Sequence, residues 1–218
     1  YVNPTPIVVS DFGSVAANRI VIGVERSYPA PATWESAELR RFTVEAIGLD
    51  TRWAVRAVSV NLTAIDGTYS AKLAESQSVF RGYFITEFDV PVVPYRDSGY
   101  KVVVYNGTNR VESDSAGPVR VNATIAARHP VTGDLLTVLT LAKAEQLEVV
   151  GYGWRENRDL YYDIEPITFA TKVLLGETRA DGSVEGVVRL DLYVTQPGTY
   201  RIKFYHGSEP EYYIVVAV

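Results

Sequence analysis

The side chains able to do chemistry in this chain are few and scattered. Two histidines, His129 and His206, each stand beside a turn residue, and cysteine is absent. A structural zinc site needs four nitrogen, sulfur or carboxylate ligands converging on one point. Two isolated imidazoles supply no such set and read as solvated turn histidines. Serine-hydrolase chemistry needs Ser, His and Asp brought together, and no Gly-x-Ser-x-Gly elbow occurs. Carboxylates are more grouped: Asp159, Asp163 and Glu165 lie close together, as do Glu112 with Asp114 and Glu209 with Glu211. Calcium takes such oxygens, but no Asp-x-Asp-x-Asp-Gly loop is present. The first group is also interleaved with Tyr161, Tyr162 and Ile164, the pattern of a solvated strand face. The expectation is no catalytic residue, no metal and no cofactor, with calcium between modules as the alternative.

Other residues point to modification and contact. Asn61-Leu-Thr63, Asn106-Gly-Thr108 and Asn122-Ala-Thr124 are N-glycosylation acceptors if the chain is exported. The pairs Tyr161-Tyr162 and Tyr212-Tyr213 put one ring on each face of a strand. Such rings stack on sugars, pack on a neighbouring subunit, or form ordinary cross-strand pairs. Residues 5–10 (Thr-Pro-Ile-Val-Val-Ser) read as a short apolar strand set off by Asp11-Phe-Gly13. Ile7, Val8 and Val9 therefore join Tyr161, Tyr162, Tyr212 and Tyr213 as candidate subunit-interface residues. Strand addition to a neighbour's sheet edge would use them; folding back onto their own module is the alternative.

Composition narrows the class. With 47% hydrophobic and 22% charged residues the chain is expected to be globular. A net charge of −5 without any basic cluster argues against a nucleic-acid partner. No apolar run has the length of a membrane-spanning helix.

The elements that must position these residues are strands. Residues 19–25, 41–47 and 54–62 are rich in β-branched side chains and bounded by turn residues, and residues 80–90 partly alternate. Asp66-Gly67 and Asp181-Gly182 are two-residue hairpin signals. Residues 135–141 read as a strand, and 186–194 as an alternating one. Residues 27–36, with Pro29, Pro31 and Trp34, read as a loop. The informative feature is repetition: Tyr100-Lys-Val-Val-Val-Tyr-Asn-Gly107 returns one hundred residues on as Tyr200-Arg-Ile-Lys-Phe-Tyr-His-Gly207. Upstream, Gly82 is matched with Gly186, Ile22 with Ile125, the Gly48 corner with the Gly151/Gly153 corner, and Trp53 with Trp154. A period of that length is domain-sized, so two modules are expected, residues 1–118 and 119–218.

The second half runs through Gly151-Tyr-Gly153-Trp154, Ala180-Asp-Gly-Ser183, Pro197-Gly-Thr-Tyr200-Arg-Ile202 and a final strand over 212–218. This order resembles the immunoglobulin-like repeats of bacterial and archaeal surface-layer, filament and adhesin proteins. The likeness is close over 119–218 and weaker over 18–117. It implies an all-β fold of two tandem immunoglobulin-like β-sandwiches, with one large jelly-roll-like sandwich as the alternative. It also implies an extracellular, glycosylated structural subunit that associates with copies of itself or other surface-assembly subunits, without enzymatic activity. A carbohydrate-binding or adhesive accessory module is the competing reading.

Overall fold

The computed structural model describes residues 19–23, 27–29, 41–49, 57–107, 109–114, 117–169, 171–207 and 211–218. Ile7, Val8, Val9, Trp34, Trp53 and Glu209 lie outside them. Nearly all regular structure is strand. In the first half, β1 (Arg19–Ile22), β3 (Arg41–Ile47) and β6 (Phe84–Asp89) form one sheet in the order β1-β3-β6. Facing it, β4 (Val58–Ala64), β5 (Ser70–Gln77), β7 (Tyr100–Asn106) and β8 (Asn109–Glu112) form a second in the order β5-β4-β7-β8. A short parallel pair joins β2 (Ser27–Pro29) to β9 (Arg120–Asn122).

Alternation explains how the sheets close. Phe42, Val44 and Ala46 of β3 point inward, as do Val58, Val60, Leu62 and Ala64 of β4, and all are buried. A two-residue period puts one face of each strand in the core, and each fully buried large aliphatic or aromatic side chain contributes about 1.5–3 kcal/mol.

The second half repeats the plan. One sheet is β11-β10-β13-β16, built from β10 (Thr124–Arg128), β11 (Leu135–Leu136), β13 (Gln146–Tyr152) and β16 (Val184–Arg189). The other is β12-β18-β17-β14-β15, from β12 (Val138–Thr140), β14 (Asp159–Glu165), β15 (Val173–Glu177), β17 (Thr199–Tyr205) and β18 (Tyr212–Ala217). Each half has its own hydrophobic core, which excludes the single jelly-roll-like sandwich. The fold is all-β, two tandem sandwiches with immunoglobulin-like strand order. Val119 and Val121 pack in the first core and Ile125 in the second.

Register fixes the correspondence between the halves. Ala46 pairs with Phe84 as Gly151 pairs with Val184, and Leu62 pairs with Val102 as Ile164 pairs with Ile202. Gly82 therefore corresponds to Gly182 and not to Gly186. Both have positive φ, +78° and +75°, and each accepts a main-chain bond from the residue after a glycine corner: Leu49 N at 2.9 Å and Trp154 N at 3.1 Å. The place of Trp154 is thus taken by Leu49, and Ile20, not Ile22, matches Ile125.

Other expectations change locally. The run expected as a strand through Val194 turns after Arg189 into one helical turn, α1 (Leu190–Tyr193). The strand expected over 135–141 is split at Thr137, its two parts joining opposite sheets. Asp66-Gly67 closes a true hairpin between paired strands β4 and β5, whereas Asp181-Gly182 joins β15 and β16 across the two sheets.

Candidate functional site at the junction and the exposed margin

Only Ala123 separates β9 from β10, so the last strand of one sandwich runs straight into the first of the next. Around that link, the loop between β6 and β7 docks on the second sandwich. Tyr95 N donates to the Trp154 carbonyl at 2.9 Å. Pro94 lies so close to Gly182 that a Cβ there would meet Pro94 Cα at 2.6 Å. Arg155 donates to both carboxylate oxygens of Asp97, at 3.1 and 2.9 Å, with its guanidinium over the Tyr95 ring. Arg96, whose side chain is only 11% exposed, pairs with Glu156 and donates to Thr68 Oγ1 at 3.0 Å. Tyr152 packs against the first core.

Tyr95, Arg96, Asp97, Arg155 and Glu156 of this junction, with Asp66, Thr68, Ser98 and Arg158, line a cleft of about 460 Å³. Its electrostatics are those of a fastener. The hydrogen bond from Arg96 holds the Glu156 carboxyl below its ordinary range, and that from Arg155 does the same for Asp97. Thr68 lowers Asp66 through its hydroxyl and backbone N–H. None of these three carboxyls carries a proton near neutrality, so none is poised as a general acid.

Two tyrosine hydroxyls brace the loops at the lower ends of the sandwiches. Tyr100 donates to the Pro94 carbonyl, and Tyr200 to the Gln196 carbonyl at 2.7 Å. The residue pair that announced the repeat thus ties each loop to the start of its strand. Burial raises the Tyr100 phenol well above its ordinary value.

The four tyrosines divide by strand face. Tyr162 lies in the second core, its hydroxyl accepting from Arg189 N, so it presents no ring to a partner. Tyr212 is half-buried against the same core. Tyr161 stands on the outer face and donates to Asp159. Tyr213 is 54% exposed with Arg201 stacked on its ring.

Asp163 accepts from Tyr205, and Glu165 pairs with Arg201 and Lys203. Among the described residues no three His, Asp or Glu side chains converge to hold a metal. Asn61 is half-buried on β4, Asn106 half-buried at the end of β7, and Asn122 exposed at the junction. His129 is a half-buried turn histidine whose Nδ1 accepts from Val131 N and Thr132 N. His206 departs from expectation: both ring nitrogens are buried without a partner, the ring lies 5.3 Å from Trp154, and burial lowers its pKa to about 4.

The exposed margin of the first sandwich was missed in the sequence. Phe80 (72% exposed), Tyr83, Ile85 (56%) and Ile47 (42%) share the outer face beside β6. Among the described residues β6 pairs on one side only, with β3. The corresponding positions in the second sandwich are Ala180, Ser183, Glu185 and Tyr152. Ser183 is tied to Asp181, Glu185 is paired with Arg179, and Tyr152 is covered by the first sandwich. The copy-to-copy comparison, available once register was known, is the signal that exposes this patch.

No protein-family profile matches the chain, and no curated protein matches it. Among solved structures, the D0-D1 domain of intimin aligns over 88% of this chain and 91% of its own, at 12% identity and a TM-score of 0.28. CBD12 from CALX1.2 aligns over 86% of this chain and 79% of its own, at 12% identity and a TM-score of 0.25. The fold assignment rests on strand order and register. No helix among the described residues is long and apolar enough to cross a membrane.

Proposed function

We propose that this chain is a structural subunit of an extracellular surface assembly, a layer or a filament, which associates with copies of itself through an open strand edge and exposed apolar and aromatic side chains. The observation that carries this reading is the contrast between the copies. Phe80, Tyr83, Ile85 and Ile47 are exposed on one sandwich, while their counterparts are small, paired or covered on the other. Clustered apolar exposure beside a strand with one free edge marks an interaction surface. The braced junction supports the reading because it makes two sandwiches one load-transmitting unit. The role involves no chemical step and no cofactor, with N-linked glycans at Asn61, Asn106 and Asn122. Electron microscopy of native material tests it: a lattice or fibre of two-lobed subunits is expected, and dispersed single particles contradict it.

A carbohydrate-binding role is favoured by one feature. Tyr212, Tyr213, Glu211, Thr137, Val138 and Val215 line an open groove of about 370 Å³. Aromatic rings beside a carboxylate suit sugar stacking and hydrogen bonding. Glycan-array binding lost in Tyr213→Ala would support this role, and an array without signal would remove it.

A further inference from the structure

The corner that carries the junction also carries its weak point. It presents the Trp154 carbonyl to Tyr95 N–H, Arg155 to Asp97 and Glu156 to Arg96. The Trp154 indole is fully buried in the second core, and the His206 ring lies 5.3 Å from it. Both imidazole nitrogens are buried, and neither has a hydrogen-bond partner. The charged groups facing the ring are Arg158 and Arg155, both from the corner itself. No carboxylate faces it among the described residues. From the neighbouring segments, Lys172 donates to the Gly207 carbonyl at 2.7 Å, and Glu211 lies close enough to act on Arg155.

We propose that the junction is an acid-operated hinge, rigid near neutrality and released in acid while both sandwiches stay folded. Such a hinge works within one chain and requires no association between copies.

Three groups drive the release in the same direction. A proton on His206 sets a third cation beside Arg155 and Arg158, with no acceptor for its N–H groups. The charged ring is therefore stable only where it reaches water. Its departure leaves Trp154 unpacked on that side, and the Trp154 carbonyl is the group that holds Tyr95. Protonation of Glu156 and Asp97 removes their ion pairs with Arg96 and Arg155. Arg158 is the other cation acting on both carboxylates.

Linkage sets the pH range. The closed junction keeps His206 neutral down to about pH 4, whereas a solvated imidazole takes its proton near pH 6.5. The released state binds the extra proton, so falling pH in that window favours release. Both carboxyls lie below their ordinary range in the closed junction. Their contribution to closure is complete above that range and is lost as pH falls through the closed-state values. From neutrality to below pH 4, the ratio of closed to released molecules should fall by on the order of a hundredfold.

The cores are spared. Apart from tyrosines, whose phenols stay protonated in acid, the buried polar residues among those described are Ser113, Thr178 and Ser183, and none of them titrates. Each sandwich has its own core, and Ala123 alone links β9 to β10. A junction held by polar contacts lets its modules move once those contacts are lost.

The chain has no cysteine, so Ser76→Cys on β5 and Glu177→Cys on β15 place one spin label on each sandwich. Double electron–electron resonance reads the distance between the labels across a pH series, and circular dichroism follows the sheets. The expected result is one narrow distance near neutrality that broadens as pH falls through about 4, with the sheet signal kept and the change reversed on neutralising. His206→Gln should broaden at lower pH than the native chain, and Glu156→Gln at higher pH. His206→Phe, an apolar ring for a site that gives the imidazole no partner, repeats the test should the Gln variant fold poorly. A distance that stays narrow until the sheet signal is lost overturns the hinge. So does a release whose pH is unchanged in both His206 variants.

Discussion

Gly182 stands against the Trp154 carbonyl, where a Cβ would come within 2.5 Å of the oxygen, and Gly82 stands in the same relation to Leu49, at 2.3 Å. Both glycines also have positive φ. An alanine at either position meets backbone that no side-chain rotation can relieve. Gly82→Ala and Gly182→Ala should each cost at least about 2 kcal/mol, read as a lower thermal midpoint. Only Gly182 also touches Pro94, so only Gly182→Ala should loosen the pair of sandwiches in small-angle scattering.

Tyr100→Phe leaves the Pro94 carbonyl without its donor in a buried setting. The expected loss is about 1–3 kcal/mol. Tyr200→Phe frees the carbonyl of exposed Gln196, which water can reach, and should cost about 0.5–1.5 kcal/mol. Denaturant titration of the two variants checks the order.

Glu156→Gln removes the charged partner of nearly buried Arg96. At neutral pH the variant should lose about 1.5–3 kcal/mol, the range for a hydrogen bond to a charged group. The folded Glu156 carboxyl is depressed, so its stabilisation is complete above the unfolded carboxylate range and is lost as pH falls through the folded value. The gap between native chain and variant should therefore close in acid below about pH 4, measured as thermal midpoint against pH.

His206 gives a separate signature. The unfolded imidazole takes a proton near pH 6.5, while the folded one, lowered to about 4, refuses it. The unfolded state binds the extra proton in that window, so stability falls as pH drops from 6.5 towards 4. His206→Gln should flatten that limb. An NMR titration placing the native His206 at its ordinary value would contradict the burial.

The parts of this architecture that were legible in the sequence are those set by local backbone needs. Tyr100 and Tyr200, and the corner glycines Gly48 and Gly153, recur because each brace or turn needs that residue type wherever the fold occurs. Gly186 misled the alignment of the copies for a physical reason. It is a glycine because Leu175 packs over it, with Cδ1 at 2.7 Å from where its Cβ would be, and not because a turn requires it. The junction was illegible because its partners are about sixty residues apart, Arg96 with Glu156 and Asp97 with Arg155. The two sandwiches must be placed before those charges meet. Likewise Tyr161 and Tyr162 look alike in the sequence, and only the register sends one to the surface and the other into the core.

Sedimentation velocity over a broad concentration range tests the central claim most directly, comparing the native chain with Phe80→Ser and with Val187→Ser, an exposed apolar position on the second sandwich. The account expects the native chain and Val187→Ser to associate as concentration rises, while Phe80→Ser stays monomeric with its fold and thermal midpoint unchanged. A native chain that remains monomeric throughout, or a Phe80→Ser variant that associates as well as the native chain, would contradict it.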